Sequence, residues 1–191
     1  VSPRTIAGRM GVGLRTLERW RRKYPALALA LSGTKEVVDS QVEDALLQQV
    51  LEAGRNAPTA HNNQPQRILV LQSPEAMAKA DACMGCHFHP PVLLAVAYDP
   101  AAAWDREDDG KNHGEIDATI AVTQMMLQAA DLGLGTTYVG MFDPEKLTAA
   151  FPEMAGLVPI AMLPLGYPAE GAHPARLHTE RKPMEQLVKY L

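Results

Sequence analysis

Apolar and polar positions alternate along this chain in two rhythms, one helical and one extended. Val42, Leu46, Val50 and Ala53 are spaced by 4, 4 and 3 residues, and Ala45, Leu47 and Leu51 widen the stripe. That spacing predicts an amphipathic helix over 42–55, ending near Gly54. A short apolar run at 67–71 reads as a strand. "PVLLAVAYD", 91–99, reads as a buried strand with its proline confined to the first position. The strongest helical pattern covers 116–132. One stripe is Ile116, Ile120, Thr123, Leu127 and Ala130, and a second is Ala118, Val122, Met125, Ala129 and Leu132. Two adjacent apolar stripes predict a central, largely buried helix. "GLGTTYVGMF" follows as a turn and a strand. "DPEKLTAAF" starts a helix with Asp143 as N-cap and Pro144 at its first position. "VPIAMLPLGYP" is the last core strand, and "KPMEQLVKYL" a short amphipathic end piece. The order helix, strand, strand, helix, strand, helix, strand predicts an α+β fold, an α/β sandwich with a mixed or antiparallel sheet. Its connections are too irregular for a doubly wound sheet.

The first 41 residues have a different character. Residues 1–23 hold seven basic side chains against Glu18 alone, a net +6, so the other 168 residues carry −10 of the overall −4. Such asymmetry suggests a polyanion-binding arm on an acidic body, or a solvated basic helix. "TIAGRMGVGLRTLERWRRKYP" has two short apolar-faced segments around "GVG", with Leu14, Leu17 and Trp20 on one side of the second and Pro25 ending it. The run to about residue 46 resembles the helix-turn-helix domains of phage terminase small subunits. That resemblance implies that Arg15, Thr16, Arg19 and Arg22 face nucleic acid. The boundary is then expected near residue 42, with segments 1–41 and 42–191. At 191 residues, 47% apolar and 21% charged, the chain has the material for one sizeable core. No stretch approaches the roughly 20 apolar residues of a membrane span, and no secretory signal is read at the start. Two cysteines build no disulfide framework, which predicts a reducing, cytoplasmic setting.

Several chemistries lack an anchor. "GLGTTYVG" follows a helix and enters a strand, the reverse of a dinucleotide-binding turn. "CMGCHFHP" offers Cys83, Cys86, His87 and His89, but adjacent ligands at 86 and 87 do not close readily on one tetrahedral ion, and no second pair exists. We expect no metal there, only a loop near the active site with incidental thiols. No serine occupies a nucleophile elbow. Asp105, Glu107, Asp108 and Asp109 read as a solvated acidic loop.

What remains is "NAPTAHNNQPQRILVL", residues 56–71, where three neighbouring carboxamides, Asn62, Asn63 and Gln64, stand between Pro58 and Pro65. Together with "IDATIAVTQMMLQAADLGLGTTYVGMFD", "VPIAMLPLGYPAE" and "HTERKPMEQLV", in this order and at these separations, it resembles the FMN-dependent nitroreductase family over about 42–191. The resemblance implies a domain-swapped homodimer with FMN in each of two interface clefts. It implies NAD(P)H as hydride donor and an electron-poor acceptor, such as a nitroaromatic or quinone. Pro58, Thr59 and Ala60 match the loop reaching the flavin from the partner subunit. Asn62 matches the asparagine beside the ring in the family's N-x-Q-P motif, with Gln64 its neighbouring amide. Tyr138, Val139 and Gly140 match the segment on the ring's other flank, and Arg181 the basic residue near the phosphate.

A flavin ring needs a few fixed donors at its polar edge, its phosphate suits the arginine fork, and the cofactor itself carries the electrons. That accounts for the absence of a catalytic triad from the sequence. The family's Arg-rich element before the first helix is not matched, since "RTLERWRR" is basic at a different spacing. Two lost phosphate contacts at about 1.5–3 kcal/mol each would weaken binding by roughly 100-fold or more. The competing reading is a DNA-binding protein whose nitroreductase-like body serves as a dimerising scaffold.

Overall fold

β2 (Val92–Tyr98) organises the fold, because both of its faces are covered. A computed structural model describes residues 42–86, 88–169, 171–173 and 176–191. Within β2, Val92, Leu94 and Val96 point to one side and Leu93, Ala95 and Ala97 to the other, and all six are buried. This two-residue period puts each set in a different core. The first core receives α1 (Asp44–Arg55) and α3 (Gly114–Asp131), which pack against each other and bring in Leu47, Val50, Ala118, Val122 and Met125. The second receives α2 (Pro74–Asp81) and α4 (Pro144–Ala150), with Leu147, Phe151, Met154 and Met162. Each fully buried Leu or Met contributes roughly 1.5–3 kcal/mol to this layering.

The sheet has the order β1-β2-β4-β3, with β1 at Gln66–Leu71, β3 at Gly135–Thr136 and β4 at Val158–Gly166. Every pairing is antiparallel. The α+β sandwich expected from the sequence is therefore present, and its sheet is antiparallel rather than mixed. One helix escaped the apolar pattern. α2 is short and alanine-rich, yet its start is written locally, since Ser73 Oγ accepts the Ala76 N–H at 3.2 Å and Pro74 follows. α4 begins as predicted, with Asp143 accepting the Lys146 N–H at 3.0 Å.

Two expectations need correction. α3 is not buried on both stripes. Ala118, Val122, Met125 and Ala129 are inaccessible, whereas Ile116 and Leu127 are 39% and 62% exposed. The apolar spacing holds, but among the described residues no layer covers the second stripe. The strand expected in "GLGTTYVGMF" shrinks to Gly135–Thr136 plus an isolated bridge from Val139 to Met162.

Two local devices fix the frame around the site. A Cβ on Gly114 would run into the ring of Tyr98, so only glycine lets α3 start this close to β2. At the other end of the fold, the Tyr167 hydroxyl donates to the Glu43 carboxylate at 2.6 Å. Burial, and then Glu43, push the Tyr167 phenol up to about 12, while this hydrogen bond holds the Glu43 carboxyl below its ordinary value. The helix-turn-helix resemblance and its residues Arg15, Thr16, Arg19 and Arg22 lie outside the described residues. No described helix is long and apolar enough to cross a membrane.

Candidate functional site

α1 ends at Arg55, and Ala57 buries itself before the chain turns outward at Pro58. From there the loop is bonded largely to itself. The Asn62 N–H donates to Thr59 O at 3.0 Å and the Asn63 N–H to Ala60 O at 3.1 Å. Thr59 Oγ1 accepts the Gln64 N–H at 3.1 Å, and Gln64 Nε2 donates to Asn62 O at 3.2 Å. Pro65 is buried, and its carbonyl accepts the Asp99 N–H, which returns the chain to the sheet. His61, Asn62 and Gln64 all have left-handed backbone, with φ of 53°, 57° and 53°. Asparagine takes that conformation readily, and the other two at a cost on the order of 1 kcal/mol each.

Two outside contacts hold this shape, and a third ring backs the second. The Ala60 N–H donates to Asp117 Oδ1 at 3.0 Å, linking the loop to the first turn of α3. The His61 ring lies on Trp104, with centroids 5.0 Å apart, and Trp104 lies on His113 at 4.8 Å. Thr59 and Gln64 are thus engaged in shaping the loop, with Gln64 Oε1 left over. The Asn62 and Asn63 carboxamides are exposed and make no hydrogen bond with another described residue. The loop spends some of its amides on itself and presents the rest.

The second predicted flank is built on β4. Val139 exchanges both backbone hydrogen bonds with Met162, at 3.0 Å each, and is buried. That single pairing turns its neighbours outward. Tyr138 is 42% exposed, with its hydroxyl donating to Ile160 O at 3.2 Å, and Gly140 is exposed. Among the described residues no hydrogen bond or ring contact joins this segment to the 58–64 loop. Arg181 is exposed in the C-terminal segment, where Nη1 donates to the backbone of Leu177 and Glu180 at 3.3 and 2.7 Å.

The cysteine loop lies directly behind the Tyr138–Gly140 segment. The Gly85 N–H donates to Met141 O at 3.2 Å and the Asp143 N–H to Cys83 O at 2.8 Å. Cys83 is buried, its thiol donates to Lys79 O at 3.2 Å, and burial pushes that thiol up, with the Asp143 charge adding to the effect. This is packing chemistry rather than a reactive thiolate. Among the described residues no cluster of three or more His, Cys, Asp or Glu could hold a metal ion; His87 is outside them. A hollow of about 470 Å³ runs from Cys83 and Gly85 to Gly140 and Lys146. A second of about 310 Å³ is lined by Met77, Met84, Phe88 and Pro164. Neither of these two hollows is lined by the amide loop.

Sequence reasoning missed Asp117, Trp104 and His113. Asp117 carried a signal, being a carboxylate in the first turn of an otherwise apolar helix. The aromatic contacts carried none, since they join residues far apart in the chain.

The family model for the nitroreductase family matches residues 34–88 and 84–167, starting before the boundary expected at 42. A nitroreductase family protein from Clostridium difficile 630 superposes with a TM-score of 0.72 at 35% identity, covering 78% of this chain and 87% of that one. An FMN complex from Desulfovibrio desulfuricans gives a TM-score of 0.64 at 27% identity, covering 80% and 87%. Among curated proteins, the NADH dehydrogenase of Thermus thermophilus is 28% identical over 183 residues, 77% of this chain and 85% of that one. These similarities carry the nitroreductase resemblance and lend nothing to the terminase one. On this evidence the chain belongs to the nitroreductase family.

Proposed function

We propose that the protein is an FMN-dependent oxidoreductase that takes hydride from NAD(P)H and reduces an electron-poor acceptor, a nitroaromatic or a quinone. The observation that carries this reading is the 58–64 loop, tied to the core by one buried carboxylate yet holding the Asn62 and Asn63 carboxamides uncommitted. A carboxamide offers a donor and an acceptor side by side, the complement of a flavin's pyrimidine edge. The residues present fit the cofactor on that ground. The FMN complex and the NADH dehydrogenase among its relatives support the assignment.

When bound, FMN would supply the hydride and electron chemistry. The protein's part is to bind and orient. Asn62 fixes the polar edge of the ring. Pro58, Thr59 and Ala60 form the wall beside it, with Gln64 bracing the turn. Tyr138 and Gly140, turned out by the buried Val139, form the opposite flank, and the bare Gly140 backbone admits close approach. Arg181 would meet the phosphate with its planar fork. A second copy completes the cleft, and the open Ile116 and Leu127 stripe of α3 supplies apolar surface for that seam. Residues 42–191 carry this activity, with 1–41 as an appended segment.

Purification tests the proposal. The expected result is a yellow dimer whose released chromophore is FMN, and which oxidises NADH or NADPH when a quinone or nitroaromatic is added. Initial rates plotted against both substrates should give parallel reciprocal lines. A colourless protein that does not quench added FMN fluorescence overturns it.

A further inference from the structure

Asp117 is the single charged side chain buried among the described residues, at 2% exposure. Burying a carboxylate is costly unless it is hydrogen-bonded. Here one oxygen accepts the Ala60 N–H and the other, Oδ2, has no partner. At the residue that caps the same helix, His113 Nε2 is also buried without a partner. A half-satisfied buried carboxylate is poor material for stabilising a core. Its one formed bond is better explained by what it holds.

Ala60 is the first residue of the turn whose following residues include left-handed His61, Asn62 and Gln64. The position of its N–H therefore sets where Asn62 is presented. The carboxylate's own position is fixed from below. α3 starts against Tyr98 because Gly114 has no Cβ, and the Gly114 N–H donates to Asn112 Oδ1 at 3.1 Å. Asp117 also sits in the first turn of α3, where the helix dipole favours a negative charge.

We infer that Asp117 is a positioning residue for cofactor binding: through the Ala60 N–H it locks the amide loop in the strained shape that presents Asn62. This rests on the reading of the loop given under Proposed function. The inference separates holding from touching. Asp117 acts on the cofactor only through the loop.

Two substitutions test it. Asp117→Asn keeps a carbonyl oxygen for the Ala60 N–H, whereas Asp117→Leu removes the acceptor and the buried charge together. Hydrogen exchange of the 59–64 amides in the FMN-free protein reads the loop, fluorescence quenching of added FMN reads binding, and thermal unfolding reads the fold. For Asp117→Leu we expect loop exchange at least tenfold faster, FMN affinity at least tenfold weaker, and an unfolding temperature equal to or above that of the parent. Asp117→Asn should stay within about threefold of the parent in both loop measures. Ala60→Pro deletes the donor instead, and extended Thr59 (φ −132°, ψ 156°) tolerates a following proline, so it should reproduce the leucine phenotype even where Asp117→Leu does not fold. Unchanged loop exchange in Asp117→Leu and Ala60→Pro overturns the inference. So does equal loss in Asp117→Asn and Asp117→Leu, which would make the charge the agent. Faster exchange with unchanged FMN affinity overturns the cofactor role and locates the failure in the reading of the loop, not in the tie.

Discussion

The amide loop at 58–64 and the acidic loop at 99–113 touch where His61 stacks on Trp104, yet they dispose of their polar groups in opposite ways. In the acidic loop the pairing runs inward among Asp105, Arg106, Asp109, Lys111 and Asn112. Asp105 and Asn112 pair as a bridge, and Asn112 Nδ2 donates to Asp105 at 2.8 Å and to Pro100 O at 3.1 Å. Arg106 pairs with Asp109, which also accepts the Lys111 N–H, and Gly110 takes the one left-handed position at φ 68°. The amide loop instead places left-handed backbone on His, Asn and Gln, leans on a carboxylate from another element, and leaves two carboxamides unspent. A loop that satisfies itself is a brace. A loop held from outside, with donors to spare, is a presenting surface.

Substitutions can break that contrast, beginning with the platform both loops share. Gly114→Val drives a side chain into Tyr98 where α3 starts, so it should cost about 3 kcal/mol or more, read by urea unfolding. Both loops should loosen with it. Asn62→Gly should weaken FMN binding about tenfold while leaving the unfolding midpoint close to the parent's, because its carboxamide supports nothing in the chain and glycine accepts φ 57° freely. Were it to lower stability instead, the loop would be a brace after all. Gly110→Ala should show the reverse, a loss of about 1 kcal/mol from its left-handed backbone with unchanged FMN affinity. Tyr167→Phe should cost about 0.5–1 kcal/mol at neutral pH, by removing the bond to Glu43.

The sign of that last effect with pH follows from the two shifts. The raised Tyr167 phenol stabilises the fold below about pH 10, and this is lost as pH rises toward 12; the lowered Glu43 carboxyl stabilises it above its ordinary value of 4.5, and this is lost in acid. Comparing parent and Tyr167→Phe unfolding across pH checks both limbs. Asp109→Ala should have the smallest effect, an unfolding midpoint barely distinguishable from the parent's, since its ion pair with Arg106 is exposed.

Much of this architecture was legible because burial is periodic. β2 could be read from one uninterrupted apolar run, and α4 from Asp143 and Pro144, since both signals lie within a few residues of what they control. α2 was missed because alanine and lysine leave little stripe to read, although Ser73 and Pro74 marked its start. The second stripe of α3 was read as buried because hydrophobic spacing reports which side of a helix is apolar and not whether anything in the chain packs on it. At the site, the carboxamides were visible as a composition anomaly. Their sorting into spent and unspent was not, since it depends on whether Thr59 and Asn62 lie within reach of Gln64 after the backbone turns left-handed. The Asp117 tie spans 57 residues of sequence, and no local pattern encodes such a pairing.

The Tyr167–Glu43 bond has a consequence for how the chain tolerates additions. It staples the residue after the last described strand to the one before the first described helix, 124 positions apart, so these two ends of the described core meet at a single corner. Segments grafted before Glu43 or after Tyr167 emerge side by side there and need not thread through any layer. The same proximity makes this corner the natural place to join the ends in a circularly permuted version with new termini cut elsewhere.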